Sequence, residues 1–147
     1  YEQGVHHTLV RARVLRAGPR GVPIPMEGAV TQHVSVSEVF ARIPDSGPLE
    51  APLGTSTTGP TQTWLEEFTS NSERAVHTGF WRCEPGISEW NFTDLGEVIH
   101  VLKGRMTVTE DGGEPVELGP GDVASFPTGW KGTWNITETL EKFYVML

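Results

Sequence analysis

Apolar and polar positions alternate along much of this chain. In "TLVRARV" (8–14) and "HVSVSEVFARI" (33–43) the period is two, the signature of strands with one buried face. "QTWLEEF" (62–68) and "RAVHTGFWRC" (74–83) carry further strand patterns, and no segment shows convincing helical periodicity. From residue 97 onward the pattern is denser: "EVIHVLKG", "RMTVTE", "EPVEL", "DVASF", "GTWNIT" and "EKFYVML" read as strands joined by very short turns. Asp111-Gly112 is a hairpin signal, and Pro120-Gly121 supplies the fixed φ and the positive φ of a type II turn. "RAGPRGVPIPMEG" between the first two strands is too rich in Pro and Gly for regular structure. "PDSGPLEAPLGTSTTGPT" (44–61) is long and polar and is expected to form a mobile loop or lid. Regular short strands of this kind imply an all-β sandwich or barrel.

Two spacings sharpen that expectation. Glu97 is followed by "VIHVLK" and then Gly104, and Gly121 is followed by "DVASF" and then Pro127-Thr128-Gly129. The spacing resembles the cupin superfamily. "FWRCEPG", "VLKGRMTVTEDGG", "LGPGDVASFPTGWKGTW" and "EKFYV" look like the small cupins related to ureidoglycine aminohydrolase, over roughly residues 62 to 147. The resemblance implies an all-β double-stranded β-helix (jelly-roll) cupin barrel at 62–147, with 1–61 adding N-terminal strands and loops of the same domain. It also implies a homodimer, built partly from residues before 44.

Cupins usually hold a divalent metal with three His and one Glu. Counting from Glu97 puts Trp90 and Phe92 at the His-x-His positions, and counting from Gly129 puts Gly132 at the third His and Ile136 at the usual Asn. A first-row metal wants about three or four N, O or S ligands, so one surviving carboxylate does not hold it. No metal and no other cofactor is expected. Among the histidines, His100 falls on the strand face opposite Glu97, whereas His77 shares a face with Trp81 and Cys83 and is a candidate pocket residue. His6, His7 and His33 are most simply solvated.

What remains around Glu97 is aromatic. Trp90, Phe92 and Trp134, with Trp81 on a neighbouring strand, either fill the barrel or wall a site for a small organic molecule. Inside such a barrel the charged form of Glu97 is disfavoured unless a cation pairs with it, and Arg82 and Lys131 are the candidate partners. Alternatively Glu97 hydrogen-bonds to backbone or to Tyr144. The candidate site is therefore Glu97 as acid or base, with Trp81, Trp90, Phe92, Trp134, His77 and Tyr144 as ligand-binding residues.

Three functions stay open: a metal-independent lyase, isomerase or hydrolase; a non-catalytic binding or sensor module; and a barrel filled by its own side chains. The resemblance adds a metal-dependent hydrolase related to ureidoglycine aminohydrolase. Composition narrows the partners. The net charge of -8 over 147 residues leaves no basic stripe for a nucleic acid. No apolar run reaches the roughly 20 residues of a membrane helix, and no signal segment opens the chain, so a soluble cytoplasmic protein is expected. The single Cys83 allows no disulfide within the chain.

Overall fold

A computed structural model describes residues 30–52 and 54–147. The chain divides into two units, Tyr1–His33 and Val34–Leu147, and the second carries the fold. The strand expected at 8–14 lies outside the described residues. In chain order the elements of the second unit are α1 (Val36–Arg42), β1 (Asp45–Pro48), β2 (Gly54–Ser56), β3 (Gln62–Asn71), a short 3-10 turn (Ser72–Arg74), β4 (Val76–Cys83), β5 (Gly86–Asn91), β6 (Glu97–Glu110), β7 (Val116–Leu118), β8 (Val123–Phe126) and β9 (Lys131–Met146).

All strand pairs are antiparallel. They form one curled sheet that runs β1-β3-β4-β9-β5-β2, with β6 also on β9 and carrying β7 and β8. The long strands β6 and β9 organise it. The first half of β6 (97–103) lies on the second half of β9, whose other edge holds β4. The second half of β6 lies on the first half of β9, whose other edge holds β5. The register between the two long strands shifts on both sides of Gly104. Gly104 has φ +86°, and a Cβ there would strike the Thr139 carbonyl, so this position requires glycine.

The two expected turns are present on either side of β8. Asp122 N–H donates to the Gly119 carbonyl across Pro120-Gly121, and Trp130 N–H donates to the Pro127 carbonyl, with Gly121 at φ +93° and Gly129 at φ +96°. One short strand between two tight turns is thus the structural meaning of "LGPGDVASFPTGW".

Two expectations fail. Residues 33–43 are not a strand: Val36–Arg42 is a helix ended by Ile43-Pro44. The reason is visible in the spacing, because Val36, Val39, Phe40 and Ile43 recur at i, i+3, i+4 and i+7, and Val39, Phe40 and Ile43 are the buried ones. The segment 44–61 is not a free loop either. It contributes β1 and β2, which pair with β3 and β5 and form the two ends of the strand order. β5 is a further strand that alternation alone did not single out, and its buried Ser88 and Trp90 place it on the barrel wall.

The buried residues form two clusters on opposite sides of the sheet. Inside the barrel are Trp81, Cys83, Trp90, Phe92, Ile99, Val101, Met106, Phe126, Trp130, Trp134, Leu140 and Tyr144 with their neighbours. Outside it, Val39, Phe40 and Ile43 of α1 pack on Phe80, with Trp64, Phe68, Leu102 and Phe143 around them. Arg82 fastens this second cluster. Its guanidinium donates to Glu141 at 2.8 and 3.1 Å and to the Phe40 carbonyl at 2.8 Å, and lies 5.5 Å from the Phe40 ring and 5.6 Å from that of Trp64.

Candidate functional site

Alternation along β6 turns Glu97, Ile99 and Val101 inward and leaves His100 exposed outside. Glu97 is buried in the barrel. Its partner is neither of the expected cations: Arg82 faces the outer side and pairs with Glu141, and Lys131 is exposed at the start of β9. The partner is Lys142. Its Nζ donates to Glu97 Oε1 at 2.5 Å, with the two side chains only 3% and 5% exposed.

Register explains how a lysine comes to be there. Lys142 lies between Trp81 of β4 and Val101 of β6, in the inward row of β9 that also contains Leu140 and Tyr144. Sequence reasoning missed it because lysine is taken as solvated. The available signal was parity: Leu140, Lys142 and Tyr144 occupy alternate positions, so one face of "LEKFY" is apolar apart from the lysine.

Three indoles surround the ammonium. Nζ is 4.5 Å from the Trp81 ring centroid, 4.6 Å from that of Trp134 and 5.7 Å from that of Trp90, distances at which the negative faces of the rings attract a cation. The rings are also set against one another. Trp90 stacks on Trp134 with centroids 3.9 Å apart, and Trp81 meets Trp90 edge-on at 6.1 Å. No guest fits between rings that close. Trp90 Nε1 donates to Ser88 Oγ at 2.8 Å, and a Cβ on Gly54 of β2 would strike the Trp90 indole, so β2 lies directly behind this ring.

Phe92 belongs to the neighbouring layer. It stacks on Phe126 at 5.6 Å and meets Trp130 edge-on at 6.0 Å, and Phe126 meets Trp130 at 4.9 Å. Tyr144 is buried opposite Gly79, which has no side chain and so leaves room for the phenol. Burial, then the charges of Glu67 and Glu97, push its hydroxyl pKa upward from the ordinary value. His77, the sixth candidate, is at the start of β4, half-buried and within 3.0 Å of Ser70 Oγ through Nδ1. The structure thus gathers Glu97, Trp81, Trp90 and Trp134 around Lys142, sets Phe92 beside them, and leaves His77 at a strand end.

Cys83 is fully buried in the same cluster. Burial pushes its thiol up to about 12; Lys142 pulls it down by less, and Glu84 adds a small upward push. Trp134 Nε1 is buried with no hydrogen-bond acceptor among the described residues. An open groove of about 600 Å³ between α1 and the sheet, lined by Phe40, Leu102, Arg82 and Glu141 among others, belongs to the outer face rather than to this site.

The residues do not suit the metal that cupins commonly hold. Trp90, Phe92, Gly132 and Ile136 offer no ligating atom, and among the described residues no three His, Cys, Asp or Glu stand close enough to share an ion. The positive charge beside Glu97 belongs to the chain itself.

A curled antiparallel sheet closed around one inward carboxylate, with a Pro-x-Gly turn at its rim, defines a cupin. Residues 71–144 match the EutQ-like cupin domain, and the chain belongs to that family. No curated protein matches the sequence.

Solved structures share the fold at low identity. A protein of unknown function from Pseudomonas syringae pv. tomato has TM-score 0.62 and 18% identity over 74% of this chain and 45% of its own. The Clostridium difficile EutQ protein has TM-score 0.51 and 17% identity over 58% and 62%. A predicted oxalate decarboxylase from Thermotoga maritima has TM-score 0.55 and 17% identity over 73% and 94%. The match thus spans less than two thirds of the first two proteins. Among the described residues no helix is long and apolar enough to cross a membrane.

Proposed function

We propose that this cupin is a metal-independent small-molecule-binding module, which recognises its guest through Glu97 and the surrounding tryptophan faces and leaves it chemically unchanged. The observation that carries this reading is the buried contact between Lys142 Nζ and Glu97 Oε1. A general base needs a free lone pair within reach of a substrate proton, and a general acid needs a proton to give. Glu97 already spends an oxygen on an ammonium held by three indoles. The site therefore resembles a recognition cage more than a reaction centre.

One observation favours a second reading, a metal-independent lyase, isomerase or hydrolase. A lysine and a glutamate in direct contact inside a barrel form a pair across which a proton can pass once a substrate separates them. Hydrolysis of a ureide, as in ureidoglycine aminohydrolase, needs a metal that the residues around Glu97 do not suit, so we do not extend that activity to this chain.

Native mass spectrometry of untagged protein, challenged with panels of small amines, acids and neutral compounds with and without divalent metals, separates these readings. We expect one class of small molecule to bind stoichiometrically and to be recovered unaltered. A mole of divalent metal per chain overturns the proposal. So does a bound compound recovered in altered form, or the failure of every compound to bind.

A further inference from the structure

Resting on that binding reading, we propose that the barrel's guest is a primary alkylammonium ion, and that Lys142 is its tethered internal competitor. Lys142 supplies the template for that guest, because it is itself a primary ammonium on an alkyl stem. Its head meets one carboxylate oxygen and three indole faces.

Each part of the cage favours that chemistry. Glu97 accepts an N–H, which a quaternary ammonium lacks and a neutral alcohol donates only weakly. The indole faces attract a compact cation desolvated by burial and give nothing comparable to an anion. The cage is also preorganised. Trp90 is fixed by Ser88, by Gly54 behind it and by Trp134 stacked on it, so little side-chain freedom is lost when a cation is held.

A free amine entering this site must displace Lys142. The tether presents the lysine head at an effective concentration on the order of millimolar or above, so a free amine of equal intrinsic affinity competes poorly. Wild-type protein should accordingly bind stoichiometrically only an ammonium guest whose further contacts offset the tether, and simple amines weakly, whereas removal of the tether should admit simple amines as well. Lys142→Ala does this and leaves Glu97 and the three tryptophans in place.

The test titrates n-butylammonium into wild type, Lys142→Ala and Lys142→Ala/Glu97→Gln, followed by tryptophan fluorescence and calorimetry. We expect Lys142→Ala to bind at least about tenfold tighter than wild type. We expect the double variant to lose that gain, and n-butanol and butyrate to reproduce none of it. If Lys142→Ala does not fold alone, recovery of its near-UV circular dichroism on adding the amine is the readout. No binding and no recovery up to about 0.1 M amine overturns the proposal. An equal response to n-butanol also overturns it, since it would show only an apolar cavity being filled.

The failures of the two proposals are distinguishable. If Lys142→Ala takes the amine but wild type binds nothing in the panels, the binding function falls and the guest with it, and Lys142 is left as the structural partner of Glu97. If wild type binds an acid or neutral compound and Lys142→Ala ignores amines, the binding function stands and the ammonium assignment falls.

Discussion

Replacing Lys142 by methionine should destabilise the protein far more than its loss of volume implies. Methionine is one atom shorter than lysine and packs well against indoles, so the change removes the charge with little loss of packing. With Nζ and Oε1 2.5 Å apart, the attraction of the pair is about 7 kcal/mol at an effective dielectric of about 20. The desolvation of two buried ions, several kcal/mol each, roughly offsets this attraction together with the indole contacts. The intact pair is therefore close to neutral in free energy, whereas Glu97 left alone keeps its desolvation cost and loses the compensation. We expect Lys142→Met to cost about 3–5 kcal/mol, against a total stability of about 5–15 kcal/mol for a domain of this kind.

Adding Glu97→Leu to Lys142→Met removes the stranded charge and should recover most of that loss, leaving the double variant within about 1–2 kcal/mol of wild type. Urea unfolding followed by tryptophan fluorescence reports all the variants, because three of the five tryptophans face the pair. The reasoning is refuted if Lys142→Met costs under about 1 kcal/mol, or if the double variant is as unstable as the sum of the singles.

Two further outcomes follow from the geometry. Arg82→Lys keeps the charge but loses the fork that joins Glu141 to the Phe40 carbonyl, so amide exchange at Val39 and Phe40 should accelerate while the environment of Trp134 is unchanged; equal protection in both proteins refutes it. The Cys83 thiol, raised from 9.0 to about 12 by burial, stays protonated in the fold at a pH where the unfolded chain has lost its proton. Its contribution is complete below pH 9 and is lost as pH rises toward 12, so the urea midpoint should fall across that window, and a Cys83→Ala variant should fall less; parallel curves count against it.

Local chemistry made much of the fold legible. Turns at Pro120-Gly121 and Pro127-Thr128-Gly129 are set by residues that are neighbours in sequence, and the span from Glu97 to Gly104 is one stretch of one strand. The helix at Val36–Arg42 was hidden because Val34, Val36 and Phe40 fit a period of two as readily as Val36, Val39, Phe40 and Ile43 fit 3.6; packing on Phe80 decides between them. Around Glu97, Trp90 and Phe92 were readable from spacing, but Lys142 was not. Its meeting with Glu97 depends on how β9 is registered on β6, a pairing between residues 45 positions apart. Side-chain type argues for solvent at that position, and only the closed barrel overrules it.

The central position of β9 also governs how the molecule comes to be folded. This one strand is the shared edge for β4, β5 and β6, and nearly all its partners lie dozens of residues away. The hairpins β3-β4, β6-β7 and β6-β8 can pair locally, but nothing joins β4, β5 and β6 into one barrel while β9 is unplaced. The entropy of closing those long chain segments is spent before most of the sheet's hydrogen bonds form. Folding should therefore be slow for the domain's size, on the timescale of milliseconds to seconds common to sheets built from distant pairings. Until β9 docks, the aromatic faces of β4, β5 and β8 have nothing to cover them, so the waiting chain is at its most adhesive before its lysine reaches the cage.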